Sequence, residues 1–218
     1  MSPKISDKFP DANFRAAVAA SDIDKGQDGY LDWSERLSPT ALNVQNKGIK
    51  DMTGIELFEK ITELRIYGNK IEGAKMNALI TSLPKVSSGV MIAYSGASSD
   101  NVMTPAQVNR AKEKGWTVKE KVGSGLQNYS GIAGVDINAT NFPDARFRSF
   151  VTSSTIDTFQ DGYLTEKELE AQYSLNVSGK SISDLTGIAY FTEIIALDCS
   201  NNSLTTLNLS QNKKLWGR

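Results

Sequence analysis

Histidine is absent from the 218 residues, so the usual proton shuttle near neutral pH is missing and Ser-His or Cys-His nucleophilic sites are excluded. A single cysteine, Cys199, rules out an internal disulfide and leaves stability to packing. No run of about 18 apolar residues offers a membrane span. The start, Met1-Ser-Pro-Lys-Ile-Ser-Asp-Lys8, lacks the apolar stretch of a signal peptide. That leaves two settings, the cytosol or the cell exterior with an export signal removed. There is no cationic excess either. With 24 Lys and Arg scattered against 25 Asp and Glu, the net charge is -1, and no basic stripe exists to neutralise nucleic-acid phosphates. Phosphate-cradling loops are also missing, because Gly123-Ser124-Gly125 is not followed by Gly-Lys-Ser/Thr. Catalysis is not expected. What is present is ordinary for a chain that buries a core: 39% apolar and 22% charged residues.

The chain repeats itself. Phe9-Pro10-Asp11-Ala12-Asn13-Phe14-Arg15 matches Phe142-Pro143-Asp144-Ala145-Arg146-Phe147-Arg148, and the same offset holds without a gap to Ile71 and Leu204. Of these 63 paired positions, 29 carry the same residue, which is the mark of a duplicated unit. The shared positions include glycines (Gly29 and Gly54 with Gly162 and Gly187), most of the loop acids and the apolar spacing.

Each copy opens with an amphipathic pattern, Phe14, Val18 and Ser21 in the first and Phe147, Phe150 and Val151 in the second, which predicts a helix. Pro10 and Pro143 suit a first helical turn, where Asp11 and Asp144 meet the positive end of the helix dipole. A loop from Asp24 to Glu35 follows, then a short helix capped by Asp32 or Thr165. Short strands come next. Leu42 and Val44, then Leu64 and Ile66, lie 22 residues apart, inside the leucine-rich-repeat range. Ile61-x-x-Leu64-x-Ile66-x-x-Asn69-x-Ile71 and Ile194-x-x-Leu197-x-Cys199-x-x-Asn202-x-Leu204 both fit that repeat's consensus. The asparagine amide is suited to satisfy backbone groups at the bend after each strand, and Cys199, at a leucine position, reads as a core thiol.

Copy one continues with a predicted helix from Met76 to Leu83, a buried strand Val90 to Tyr94, a capping box at Thr104 to Gln107 opening a helix that Gly115 ends, and a strand Trp116 to Val118. The expected fold is therefore α/β: two tandem short leucine-rich-repeat solenoid modules, with parallel strands and convex helices or turns, each preceded by an EF-hand-like helix-loop-helix cap. The boundaries are 1–122 for the first module (cap 8–40, repeats 41–122), 123–137 for a Gly- and Ser-rich linker, and 138–218 for the second (cap 140–173, repeats 174–218). The pattern stops at Arg218 with an uncovered coil, which predicts a monomer or weak self-association through that C-terminal edge.

Phe-Pro-Asp-Ala-x-Phe-Arg, the Asp-Gly-Tyr-Leu loop, Leu-Asn-Val, Leu185 to Ile188 and the run Leu197 to Ser210 together resemble the leucine-rich-repeat surface proteins of gut bacteria (Bacteroidetes or Firmicutes type). The likeness extends over nearly the whole chain, including Ala111-Lys-Glu-Lys-Gly-Trp116. It implies a cell-surface or secreted protein without catalysis that binds a protein or glycan.

Two sites stand out. The 12-residue loops match positions 1, 5, 6, 9 and 12 of the EF-hand template, which makes Ca2+ the candidate metal. In the first loop Asp24, Asp28, Asp32 and Glu35 offer carboxylates and Tyr30 a backbone carbonyl; Gly26 at position 3 supplies no ligand. In the second the set is Asp157, Asp161, Tyr163, Thr165 and Glu168, with Phe159 where an oxygen is expected, so the first loop is the better match. The other reading of these acids is that they cap helices. The second site is the sheet face, where residues alternating with the buried positions point outward: Asn43, Glu63, Arg65, Tyr67, Asn176, Asp198 and Ser200. An ordinary solvated sheet surface is the alternative.

Overall fold

The computed structural model describes residues 2–20, 23–96 and 100–216. Ser21 of the first predicted helix and Arg218 at the C-terminal edge lie outside them. The chain divides into two compact units, one ending at Gly131 and the other beginning at Ile132.

Unit 1 starts with helices α1 (Ile5–Lys8), α2 (Ala12–Ala19) and α3 (Trp33–Leu37). Pro10 does not enter the first turn, as the sequence suggested, but precedes it. Asp11 is the N-cap and accepts from the amides of Asn13 and Phe14, each at 2.9 Å. Strands β1 (Ala41–Asn43), β2 (Glu63–Arg65), β3 (Gly89–Tyr94), β4 (Trp116–Val122) and β5 (Gly125–Asn128) form one sheet in that order. The first four run parallel, with Leu42 opposite Leu64, Leu64 opposite Met91, and Met91 opposite Val118, so the repeat leucines and their replacements stack into one buried layer. Helices α4 (Gly73–Ser82) and α5 (Pro105–Glu113) connect these strands, pack on one another, and α5 lies on β4. Thr104 closes the expected capping box with Gln107.

Residues 123–137, read from the sequence as a linker, are structured. Val122 pairs with Gly125 across the two-residue turn Gly123-Ser124, so β5 folds back antiparallel on β4. A Gly-Ser pair between extended residues is as much a hairpin signal as a linker signal, and the composition alone did not separate them.

Unit 2 opens with β6 (Gly134–Asp136), also inside the expected linker, and continues with α6 (Ala145–Val151), β7 (Tyr163–Thr165), α7 (Glu166–Glu170), β8 (Ser174–Asn176) and β9 (Ala196–Asp198). β6 pairs antiparallel with β7, and β8 pairs parallel with β9. Asp144 caps α6, so Pro143 precedes the helix and does not enter the expected first turn. The core gathers Phe142, Phe147, Val151, Leu164, Leu175, Val177, Ile188, Phe191 and Ile194, with Cys199 half-buried against it.

One interlocking device occurs in each unit. Phe9 lies edge-on to Phe14 at 5.2 Å, and beneath it Gly54 has φ 106; a Cβ there would meet the Phe9 ring at 2.5 Å and the Lys8 carbonyl at 2.8 Å. Gly187, with φ 103, faces Phe142 and the Asn141 carbonyl at 2.4 and 2.6 Å. Meanwhile the second oxygen of each capping aspartate reaches the repeat. Asp11 accepts from the amides of Lys50 and Asp51, and Asp144 from Ser183 and the Asp184 amide. Burial opposes ionisation of Asp144, but the donors on Ser183, Phe147 and Arg146 outweigh it and hold the carboxyl well below the usual range. Phe-Pro-Asp is thus the joint between the helical segment and the first repeat coil of its unit.

Candidate functional site

The asparagines do what their spacing predicted. Asn69 is fully buried and makes four bonds: its amide oxygen accepts from the Lys47 and Ile49 amides, and its nitrogen donates to the Val44 and Ile66 carbonyls. Asn202 repeats this set with Lys180, Ile182, Val177 and Cys199. Each ties one coil to the next. Sequence reasoning missed Asn101, which bonds Ile71, Ile66 and Ala93 in the coil after Asn69. It lies 32 residues after Asn69 and outside the repeat period, so the register gave no signal. Its neighbour Asp100 is a buried carboxylate satisfied by the amides of Gly68, Asn101 and Ser95 and by the Ser95 hydroxyl.

These bonds fix the sheet face. Register places Asn43 beside Arg65 in unit 1, and Asn176 beside Asp198 in unit 2, all four exposed. Arg65 turns back to Glu63 in an ion pair of 2.6 Å. Asn176 and Asp198 accept from the amides and hydroxyls of Ser178 and Ser200, so Ser200 serves to orient Asp198. Tyr67 departs from its expected place. It is buried, with the Lys121 ammonium 5.3 Å from its ring centre, because β4 is long enough to bring Lys121 over it. Tyr94 and Tyr129 stack nearby at 5.0 Å.

The two acidic loops have one plan. In the first, Asp24 is buried and accepts from the amides of Asp28 and Gly29, and Glu35 accepts from Gly26 and Asp32. Asp28 accepts from Tyr30, and Asp32 caps α3. In the second, Asp157 accepts from Asp161 and Gly162; Glu168 accepts from Thr158, Phe159 and both donors of Thr165; Asp161 accepts from Tyr163. Gly29 and Gly162 both have φ 79 at the sharp turn. Among the described residues, no three Asp, Glu or Cys side chains form a group that could hold a metal ion. Positions 1 and 12 thus act as internal acceptors for the loop's own amides.

The loops differ in how their fifth position sits. Asp28 is exposed, whereas the second oxygen of Asp161 is buried without a donor. Burial, reinforced by the neighbouring Asp157 carboxylate, pushes the Asp161 carboxyl up to about 6, and burial raises Asp157 as well. Tyr163 is buried and donates to the Ile132 carbonyl at 3.1 Å, while its counterpart Tyr30 is exposed.

Among the described residues, no helix is long and apolar enough to cross a membrane. No family model matches the chain. Over 71 residues, 33% of its length, the chain is 38% identical to internalin J of Listeria monocytogenes, and it spans only 8% of that protein. Among solved structures, similar ones include the functional domain of InlJ from Listeria monocytogenes, described as including a cysteine ladder (25% identity, TM-score 0.36, 99% of this chain and 42% of that one). Internalin C2 of the same organism gives 17% identity and a TM-score of 0.41 over 98% of this chain and 75% of that one. A third, the internalin InlF, again from Listeria monocytogenes, gives 14% and 0.37 over 99% and 51%. The fold itself, α/β with parallel strands tied by repeat asparagines, is of the leucine-rich-repeat type, and internalin-like proteins are among its neighbours.

Proposed function

We propose that the chain is a non-enzymatic binding protein of the cell surface or the secreted fraction, built from two tandem capped leucine-rich-repeat modules whose sheet faces recognise a protein or glycan. The observation that supports this most directly is the registered, exposed polar row: Asn43 with Arg65, and Asn176 with Asp198, each held by an asparagine rung beneath it, buried at Asn69 and half-buried at Asn202. Rigid backbone under exposed polar side chains lowers the ordering cost of binding. The partial likeness to internalin J supports the same reading, with everything outside the matched 71 residues left to test. A glycan and protein array probed with the full chain is expected to give partners whose signal falls at least about tenfold, near 1.4 kcal/mol, in an R65A/D198A variant. An array at background, or binding untouched by both substitutions, supports a structural spacer instead.

One observation favours a second reading, a calcium-binding protein whose EF-hand-like loops stabilise or orient the modules. The buried, donorless oxygen of Asp161 beside Asp157 is an acceptor that a cation would satisfy, which moves the better candidate to the second loop. Coordination there requires Glu168 to release amides it now holds. Melting in excess Ca2+ and in chelator decides it: a rise abolished by D161N supports the cation, and identical curves leave the loops purely structural.

A further inference from the structure

One local divergence between the two copies lies on a single helix face. In and just after α2 that face carries Asn13, Ala16, Ala17 and Ala20; at the same places in and just after α6 stand Arg146, Ser149, Phe150 and Ser153. The spacing of three, four and seven puts all four on one side. Around them the joint is kept: phenylalanine, capping aspartate, glycine and the following lysine, Lys47 or Lys180, are unchanged.

Arg146 inherits a structural bond and has donors to spare. Asn13 donates to the Gly48 carbonyl at 3.1 Å, and Arg146 does the same to Ser181 at 2.9 Å through one guanidinium nitrogen. The remaining N–H groups of the fork make no hydrogen bond to a described residue. Phe150, stacked on Phe147, carries the Lys180 ammonium 5.3 Å from its ring centre. Both cations are exposed and line one open cleft of about 630 Å³ with Ala145, Ser149, Phe150 and Ser153. No carboxylate lines it, and neither cation has an ion-pair partner among the described residues. Asp144, two residues before Arg146, is committed to its cap and to Ser183.

We propose that this cleft binds a tetrahedral oxyanion, sulfate or phosphate, carried as an ester on a larger ligand. The anchored guanidinium presents its planar fork to two anion oxygens, the ring holds Lys180 as the second charge, and the Ser149 hydroxyl on the same face supplies a neutral donor, Ser153 being bonded to Thr155. The cleft is open to solvent, so the interaction is weak and salt-sensitive, with a Kd on the order of millimolar for the free ion. This goes beyond the sheet-face reading and does not depend on it.

Amide NMR of the full chain, titrated at low and constant ionic strength with sodium sulfate, inorganic phosphate and a sulfated oligosaccharide, tests the proposal. Saturable shifts are expected at residues 146–153 and 180–181, and none at the matching residues 13–20 and 47–48, which act as the internal control. R146N and F150A install residues that copy one carries at these places, and R146N keeps an amide able to reach the Ser181 carbonyl, so both variants are compatible with the fold. Affinity is expected to fall about tenfold in R146N and in K180Q. Tighter binding of the sulfated oligosaccharide than of either free ion supports an esterified ligand. Equal affinity for all three, equal shifts in both copies, or titrations unchanged by R146N and K180Q would overturn the proposal.

Discussion

The loops at 24–35 and 157–168 share three acids, at positions 1, 5 and 12, their glycine at φ 79 and a capping box, yet they occupy different electrostatic states. In the first, position 5 faces water. Both loops pair with the segment before their helix, Lys4 bridging Tyr30 in the first and β6 pairing with β7 in the second, but in the second the pairing is longer, Tyr163 is drawn in, and Asp161 is shut beside Asp157 with an oxygen left bare. The backbone plan is therefore set by residues common to both copies, while its chemistry depends on what lies over it. The same holds for the helix face that carries alanines in one copy and Arg146, Ser149, Phe150 and Ser153 in the other.

The sharpest way to break this comparison is at the asparagine rungs. Asn69 is fully buried, so N69A strands the Val44 carbonyl and two amides without water to replace the side chain, while the Ile66 carbonyl keeps its bond from Asn101, and about 4 kcal/mol of stability is expected to go. Asn202 makes the same four bonds but is half-exposed, so N202A is expected to cost about half as much. Urea midpoints at constant m-value measure both. Equal losses would mean that burial does not set the cost of a rung.

Next in size are the glycines beneath the phenylalanines. G54A and G187A each force a Cβ into a ring and a carbonyl at positive φ, and about 3 kcal/mol is expected from strain and overpacking together. Because the geometry is nearly the same at both places, the losses are expected to agree within about 1 kcal/mol, and hydrogen exchange should accelerate in the unit that carries the substitution. A tolerated G187A would show that Phe142 does not lock its joint as Phe9 does.

Much of this fold was legible in the residues. The 22-residue spacing of Leu42 and Leu64 gave the strand register, and the repeat asparagine gave the rungs, because both depend on local geometry that recurs with period. The joint was half legible. Asp11 and Asp144 were placed at the right helix end, but their second bonds, to residues about 40 positions away, have no local sign. The β4–β5 hairpin was missed because Gly-Ser also describes a linker, and Asn101 because it sits outside the period. Tyr67 was misplaced for a related reason: strand alternation points it outward, and only the length of β4 brings Lys121 over it. At the candidate sites the residue types were readable, but exposure was not, since Asp28 and Asp161 are identical in sequence and opposite in setting.

The smallest predicted effect tests that opposition. Asp161 has its carboxyl pushed up to about 6, above the unfolded value near 3.9, so its proton binds more tightly in the folded chain. Its contribution is therefore fully present below about pH 4 and lost as pH rises through 6: the ionised, donorless oxygen is what destabilises the neutral protein. Asn in its place keeps an oxygen to accept from the Tyr163 amide and adds an N–H₂ group in place of the bare oxygen. D161N is expected to raise stability at pH 7 by about 1 kcal/mol, a figure discounted for partial solvent screening, and to flatten the decline between about pH 4 and 6. D28N, at an exposed site already hydrogen-bonded to Tyr30, is expected to change stability by less than about 0.5 kcal/mol at the same pH. If the two substitutions shift the urea midpoint equally at pH 7, the longer pairing of β6 does not separate the loops, and the residues at position 3, Gly26 and Phe159, are the next difference to test.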